Sequence, residues 1–244
     1  MGVHGPGMRP LAHALWLVLA LATCSAGNAR AQASAHHPVP PVQAPGADPA
    51  SAGLQASPPA RQLIAWVKST QDSAGQPFIV IDKPQARAFA FDAQGRLRGT
   101  APVLMGLARG DLSVPGIGER PLSAIRPEER TTPAGRFEAQ HGRNAQGEDI
   151  VWVDYEAAVS LHRVRATNPS ERRLQRLATP TPLDNRISYG CINVPVAFYE
   201  RVVLPLLRPA NGQAVVYVLP DELPLATVFP RLAKRPDGPA LAAY

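Results

Sequence analysis

The sequence predicts a mainly β domain, mostly antiparallel, carrying one substantial helix. Short runs rich in Val, Ile, Phe and Tyr recur from position 78 onward, each bounded by Gly, Pro, Asp or Asn. Among the later segments, Val196 to Leu207 best keeps a helical period, with Val196, Tyr199, Val203 and Leu206 on one face. The first quarter, rich in Ala and Pro, shows neither pattern beyond one apolar run near the start.

In chain order, Arg61 to Ser69 spaces Leu63, Ile64 and Val67 as a short amphipathic helix, with Trp66 packing beside them. Phe78 to Asp82, Arg87 to Phe91 and Arg96 to Val103 read as three strands in hairpin order, the last two separated by the turn residues Asp92-Ala93-Gln94-Gly95. Gly106 to Pro133 is a long surface loop of the kind that often carries function. Thr132 to Gly135 closes it with a turn leading into a strand over Arg136 to Ala139, and His141 falls in a turn-like surface segment. Ile150 to Tyr155 and Ala158 to His162 are two further strands, and Ala214 to Leu219 is a buried one. Between them, Glu171 to Ala178 is expected as a short helix capped by Ser170, with Leu174 and Leu177 inward.

The start of the chain has the order of a secretory leader: Arg9, an apolar run from Leu11 to Ala22, then small residues ending in Ala29-Arg30-Ala31 and Ala31-Gln32-Ala33. Residues 1–33 are therefore expected to be a signal peptide and 34–60 a disordered Pro/Ala-rich linker. A helical lead-in follows over 61–76, the folded domain over 77–220 and a C-terminal tail over 221–244. The protein is expected in the periplasm or cell envelope, with no stable membrane insertion after cleavage. An uncleaved anchor and a lipid on Cys24 remain open. The 25 basic residues exceed the 19 acidic ones to give +6. The arginines are scattered, without RNP-like aromatics or helix-turn-helix spacing, which argues against nucleic acid and fits an anionic polymer such as a bacterial wall.

After cleavage Cys191 would be the sole cysteine, and a lone thiol in an oxidising compartment needs an explanation. Gly-Cys by itself fits a structural cysteine as well as a reactive one. In Ile187-Ser188-Tyr189-Gly190-Cys191-Ile192-Asn193-Val194-Pro195, a small-residue turn presents the thiol. A helix is expected from Asn193 or Val194, with Asn193 as its cap, Pro195 in the first turn and the helix dipole favouring the thiolate. Gly190 permits the turn, and amides nearby would hold an oxyanion. His162, ending a strand, supplies the base that covalent acyl transfer by a cysteine requires. Too few histidines and cysteines remain for a zinc site, and no metal or cofactor is expected.

At these residues the chain resembles the L,D-transpeptidase catalytic domain of the YkuD type. A strand-borne histidine precedes Ser188-Tyr189-Gly190-Cys191-Ile192-Asn193, which matches the pattern Ser-x-Gly-Cys-(Ile/Val)-(Arg/Asn), and a Thr-Pro-x-Gly turn lies upstream at Thr132 to Gly135. The resemblance covers roughly residues 77–219 and implies a β-sandwich-like catalytic domain with one substantial helix after the catalytic cysteine. It implies action on peptidoglycan stem peptides, with Cys191 as nucleophile, His162 as general acid and base, and amides at Gly190 and Cys191 holding the oxyanion. Ser188, Tyr189 and Asn193 would shape the turn, and Arg186, with Asn193, would face the substrate. Tyr189 stands where many members have histidine. His162 and Cys191 lie 29 positions apart, about a dozen more than is usual, and the excess over 163–186 reads either as a lid or as a solvated excursion. Cross-linking, hydrolysis as an L,D-carboxypeptidase or amidase, and wall binding without catalysis all remain open at this level.

Overall fold

The computed structural model describes residues 55–233. The expected leader, Cys24, most of the linker and the last eleven positions lie outside the described residues. Strands β1 (Phe78–Asp82), β2 (Arg87–Phe91), β3 (Leu97–Pro102), β5 (Gly135–Arg143), β6 (Asp149–Asp154), β7 (Val159–Arg163), β9 (Ile192–Val194) and β10 (Gln213–Val218) form one sheet. Its order is β3-β2-β1-β10-β5-β6-β7-β9. Two short strands, β4 (Met105–Gly106) and β8 (Arg186–Ser188), pair separately. The fold is mainly β, as the apolar runs predict. The sheet is mostly antiparallel, as expected, but it is not purely so: β1–β10 and β7–β9 pair in parallel. Each parallel pair is joined by a long excursion, as parallel pairing demands.

Side chains of a strand alternate between faces, and the central strands are apolar on both. Ile79, Ile81, Ala88, Ala90, Val216 and Val218 join one core; Phe78, Val80, Phe89, Phe91, Val215 and Tyr217 join the other. The first core also takes Val151 and Val153 from β6, Leu161 from β7, Ile192 and Val194 from β9, and Phe198, Tyr199 and Val202 from the helix after β9. The sheet therefore closes around that helix. The second core is covered by helix α1 (Pro58–Thr70) through Ala60, Leu63, Ile64 and Val67. Helix α1 starts ahead of the apolar spacing because Ser57 caps it, accepting the Ala60 N–H at 3.2 Å, while the Ser57 N–H donates to Asp82 at 2.7 Å.

Four expectations change here. Residues 221–233 are not a loose tail: Phe229 is buried beside Tyr217 in the second core. Strand β5 runs through His141 to Arg143, and the turn falls at Asn144, whose side chain accepts the Gln146 and Glu148 N–H groups. In the 163–186 excursion, Arg172 adopts a left-handed conformation and the helix α2 spans only Arg173–Ala178; Ser170 does not cap it. Its Leu177 is buried, but Leu174 faces solvent. The largest change concerns the helix after Cys191: α3 begins at Val196 and continues through a π turn, Tyr199–Val203, into Leu204–Leu207. Ile192 and Val194, both β-branched, instead pair with β7, and Pro195 separates that strand from the helix.

Candidate active site

Leu161 pairs with Ile192 and His162 with Asn193, so the loop ending at Cys191 runs alongside Ser160. Ser160 and His162, two positions apart on β7, share one face, and both act on the thiol. The Ser160 hydroxyl lies 3.5 Å from Cys191 Sγ, and the Ala158 carbonyl 3.7 Å away. Burial pushes the Cys191 thiol up, but hydrogen bonding and charge from the His162 imidazole, with the hydroxyl and amide of Ser160, outweigh it and hold the thiol below its ordinary value. Despite these neighbours Cys191 keeps part of its surface open to solvent.

His162 is itself oriented. Its Nδ1 lies 2.7 Å from the Arg163 carbonyl. A carbonyl only accepts, so Nδ1 carries the hydrogen and Nε2 is left for proton exchange with the sulfur. Whenever the ring is neutral, this tie holds it in the tautomer a general base needs.

The loop that presents the thiol is fixed on three sides. Gly190 has φ +136°, and a Cβ there would sit 2.7 Å from the Thr131 carbonyl, so only glycine fits. Thr132 Oγ1 donates to the Gly190 carbonyl at 2.7 Å and accepts the Gly106 N–H at 2.9 Å. Ser188 Oγ donates to the Cys191 carbonyl at 2.6 Å and accepts the Gly190 N–H at 3.1 Å. Of the two amides expected to hold an oxyanion, that of Gly190 is thus occupied by Ser188. The Cys191 N–H meets no partner among the described residues. Tyr189, two residues before the thiol, is half-exposed, with the Arg130 guanidinium stacked 4.0 Å over its ring.

Two expected substrate contacts are placed elsewhere. Arg186 pairs with Asp221 at 2.5 Å and donates to the Ala108 carbonyl at 3.2 Å. Asn193 is fully buried and bonds Arg173 and the Cys191 carbonyl. Both residues brace the site from behind. The helix dipole is also absent from the thiol's surroundings, since α3 starts five residues later, beyond β9. The stabilisation assigned to it comes from His162 and Ser160.

Behind this wall lies a buried ionic knot that the sequence reading missed. Lys83 Nζ contacts Asp111 at 2.8 Å, Asp221 at 3.2 Å and the carbonyls of Gly110 and Thr132 at 2.7 and 2.9 Å. Asp111 also accepts the N–H groups of Asp221, Glu222 and Leu223. Burial pushes its pKa up, but the Lys83 hydrogen bond and these amides bring the carboxyl down to about 2. The knot ties the long 106–133 loop to the end of β10 and, through Arg186, to the strand leading into the cysteine loop. Ser160 was missed as well, although its spacing from His162 on one strand is a visible signal.

No family model and no curated protein matches the chain. Among solved structures it is similar to the NMR structure of the catalytic domain of an L,D-transpeptidase from E. faecium. The identity is 16%, with 61% of this chain and 97% of that one covered and a TM-score of 0.31.

Proposed function

We propose that the chain is a peptidoglycan L,D-transpeptidase of the cell envelope that works through an acyl-enzyme on Cys191. The observation that carries this reading is the depressed, partly open thiol beside an imidazole whose Nδ1 is tied to the Arg163 carbonyl. It is the arrangement covalent acyl transfer requires.

The Cys191 thiolate attacks the carbonyl carbon of the bond that joins diaminopimelate to the terminal D-alanine of a stem tetrapeptide. A C–S bond forms, and the carbonyl electron pair moves to oxygen, which the Cys191 N–H receives. As the tetrahedral species collapses, the C–N bond breaks. The His162 imidazolium gives its proton to the departing amine, releasing D-alanine. An amine of a second stem then attacks the thioester, loses its proton to His162 and expels the thiolate, which closes the cycle with one peptide bond broken and one made. Water in place of the amine yields a trimmed stem by the same steps, so L,D-carboxypeptidase activity is the alternative outcome. An envelope location supplies the substrate.

The test is to incubate the protein with tetrapeptide muropeptides and identify adduct and products by mass spectrometry. Expected are an acyl adduct on Cys191 and cross-linked dimers, both lost in Cys191→Ala. Trimmed monomer alone reassigns the enzyme as a hydrolase, and full activity in Cys191→Ala removes the nucleophile.

A further inference from the structure

The 163–186 excursion is neither a loose lid nor a detached surface feature. Leu177 of α2 is buried against Leu104 and Val164, with Ile187 packed alongside. Arg176 ties the start of the excursion to its end, donating to the carbonyls of Glu171 at 2.7 Å and Asp184 at 2.6 Å. From this small lobe Arg173 turns inward. Its Nε pairs with Glu171 at 2.5 Å, and its Nη1 donates to Asn193 Oδ1 at 2.7 Å.

Asn193 is the point of contact with the nucleophile. Its backbone is held on both sides by Leu104, with N–H and carbonyl bonded at 2.8 and 2.9 Å. Its side-chain amide has two possible orientations, and a guanidinium has donors only. Arg173 therefore forces Oδ1 to face it and Nδ2 to face the other way, where it donates to the Cys191 carbonyl at 3.2 Å. The same carbonyl takes the Ser188 hydroxyl. Two donors on one carbonyl oxygen fix the 191–192 peptide plane and with it the direction in which the Cys191 side chain leaves the backbone toward Ser160 and His162.

We propose that Arg173 is a positioning residue for the Cys191 thiol, through which the 163–186 excursion sets the reactivity of the nucleophile. Without the guanidinium, the buried Asn193 Oδ1 loses its only donor among the described residues and the amide is free to flip, turning an acceptor onto the Cys191 carbonyl. The thiol then loses its alignment with the groups that stabilise its charge. The proposal rests on Cys191 being the nucleophile, and it concerns the thiol rather than any particular acyl acceptor.

The experiment follows alkylation of Cys191 by iodoacetamide across pH in the full chain. Arg173→Met is expected to alkylate roughly tenfold more slowly near neutrality, the scale of one lost charge-assisted hydrogen bond, with the rise of the profile moved to higher pH. Arg173→Lys should recover part of that loss. The exposed neighbour Arg172 makes no side-chain bond among the described residues, and Arg172→Met should match the unaltered protein. A wild-type profile in folded Arg173→Met overturns the proposal. If that variant does not fold, Asn193→Asp decides: it keeps the pairing to Arg173 but places an oxygen against the Cys191 carbonyl, so an unchanged profile there is equally fatal and a slowed one supports the relay. Muropeptide turnover is measured alongside. A shifted alkylation profile with no turnover in the unaltered protein preserves the relay and removes the transpeptidase reading, whereas turnover with an unshifted profile does the reverse.

Discussion

Thr132 donates its hydroxyl hydrogen to the Gly190 carbonyl across 2.7 Å while accepting the Gly106 N–H, so its rotor has one orientation. The Gly190 carbonyl and the Cys191 N–H belong to one planar trans peptide and point in opposite directions. By anchoring the carbonyl, Thr132 aims the Cys191 N–H, the amide proposed above to receive the oxyanion. Thr132→Val keeps the shape and removes both bonds. The expected result is a fall in kcat of roughly tenfold to a hundredfold with KM little changed, the pattern of a weakened oxyanion contact. Steady-state kinetics on a tetrapeptide substrate would show it; a rise in KM alone would mean that Thr132 serves binding instead.

Gly190→Ala tests the same loop more severely. The added methyl would meet the Thr131 carbonyl at 2.7 Å, in a backbone conformation with φ +136° that alanine avoids. A loss on the order of 2–3 kcal/mol in stability is expected from the strain alone. Chemical denaturation should show a lower midpoint with an unchanged slope. A midpoint equal to that of the unaltered protein would mean that the loop relaxes without cost.

Asp111 makes the long loop sensitive to acid. Its folded value of about 2 lies below the 3.8 of a free carboxyl. A lowered value contributes stability that is fully present above the unfolded pKa and disappears as pH falls through the folded one, here between about 4 and 2. The shift corresponds to about 2 kcal/mol for this buried group. Asp82 acts in the opposite sense, since burial raises it and protonation relieves that cost. Stability measured by denaturant at pH 5 and at pH 2.5 should drop in the unaltered protein. In Lys83→Met, two buried carboxylates lose their shared cation, so stability should already be lower at pH 5 by about 3–5 kcal/mol and should fall less on acidification. Equal acid sensitivity in both proteins would detach Lys83 from the effect.

The strands were legible because their pattern is local. Phe78, Val80 and Ile81 announce a buried strand whatever packs on them, and the Ser188 to Cys191 turn next to a strand-borne His162 is visible as chemistry. The start of α3 was misplaced because Ile192-Asn193-Val194 is short enough to serve as strand or helix, and only pairing with β7 decides it. The role of Arg186 was hidden for a different reason. Its partner Asp221 stands 35 positions away with no local signal, so an arginine engaged in a buried ion pair looked like one free to meet a substrate. Leu174 and Leu177 share a helical spacing, but α2 is only one short segment, and Leu177 alone joins the buried cluster with Leu104 and Val164 while Leu174 stays exposed.

The ordering of charges around Cys191 yields the last prediction. The thiol sits below its ordinary 9.0 because His162, and then Ser160, overcome a burial effect that acts in the other direction. Removing each partner should therefore raise the pH at which alkylation by iodoacetamide reaches half its plateau. His162→Gln loses both a hydrogen bond and a charge, so burial is less opposed and the midpoint is expected to rise. Ser160→Ala loses only the hydroxyl while its backbone N–H remains in place, so its upward shift should be the smaller one. Were the two shifts reversed in size, the thiolate would owe its stability chiefly to the hydroxyl, and His162 would act later, as the group that hands a proton to the leaving amine.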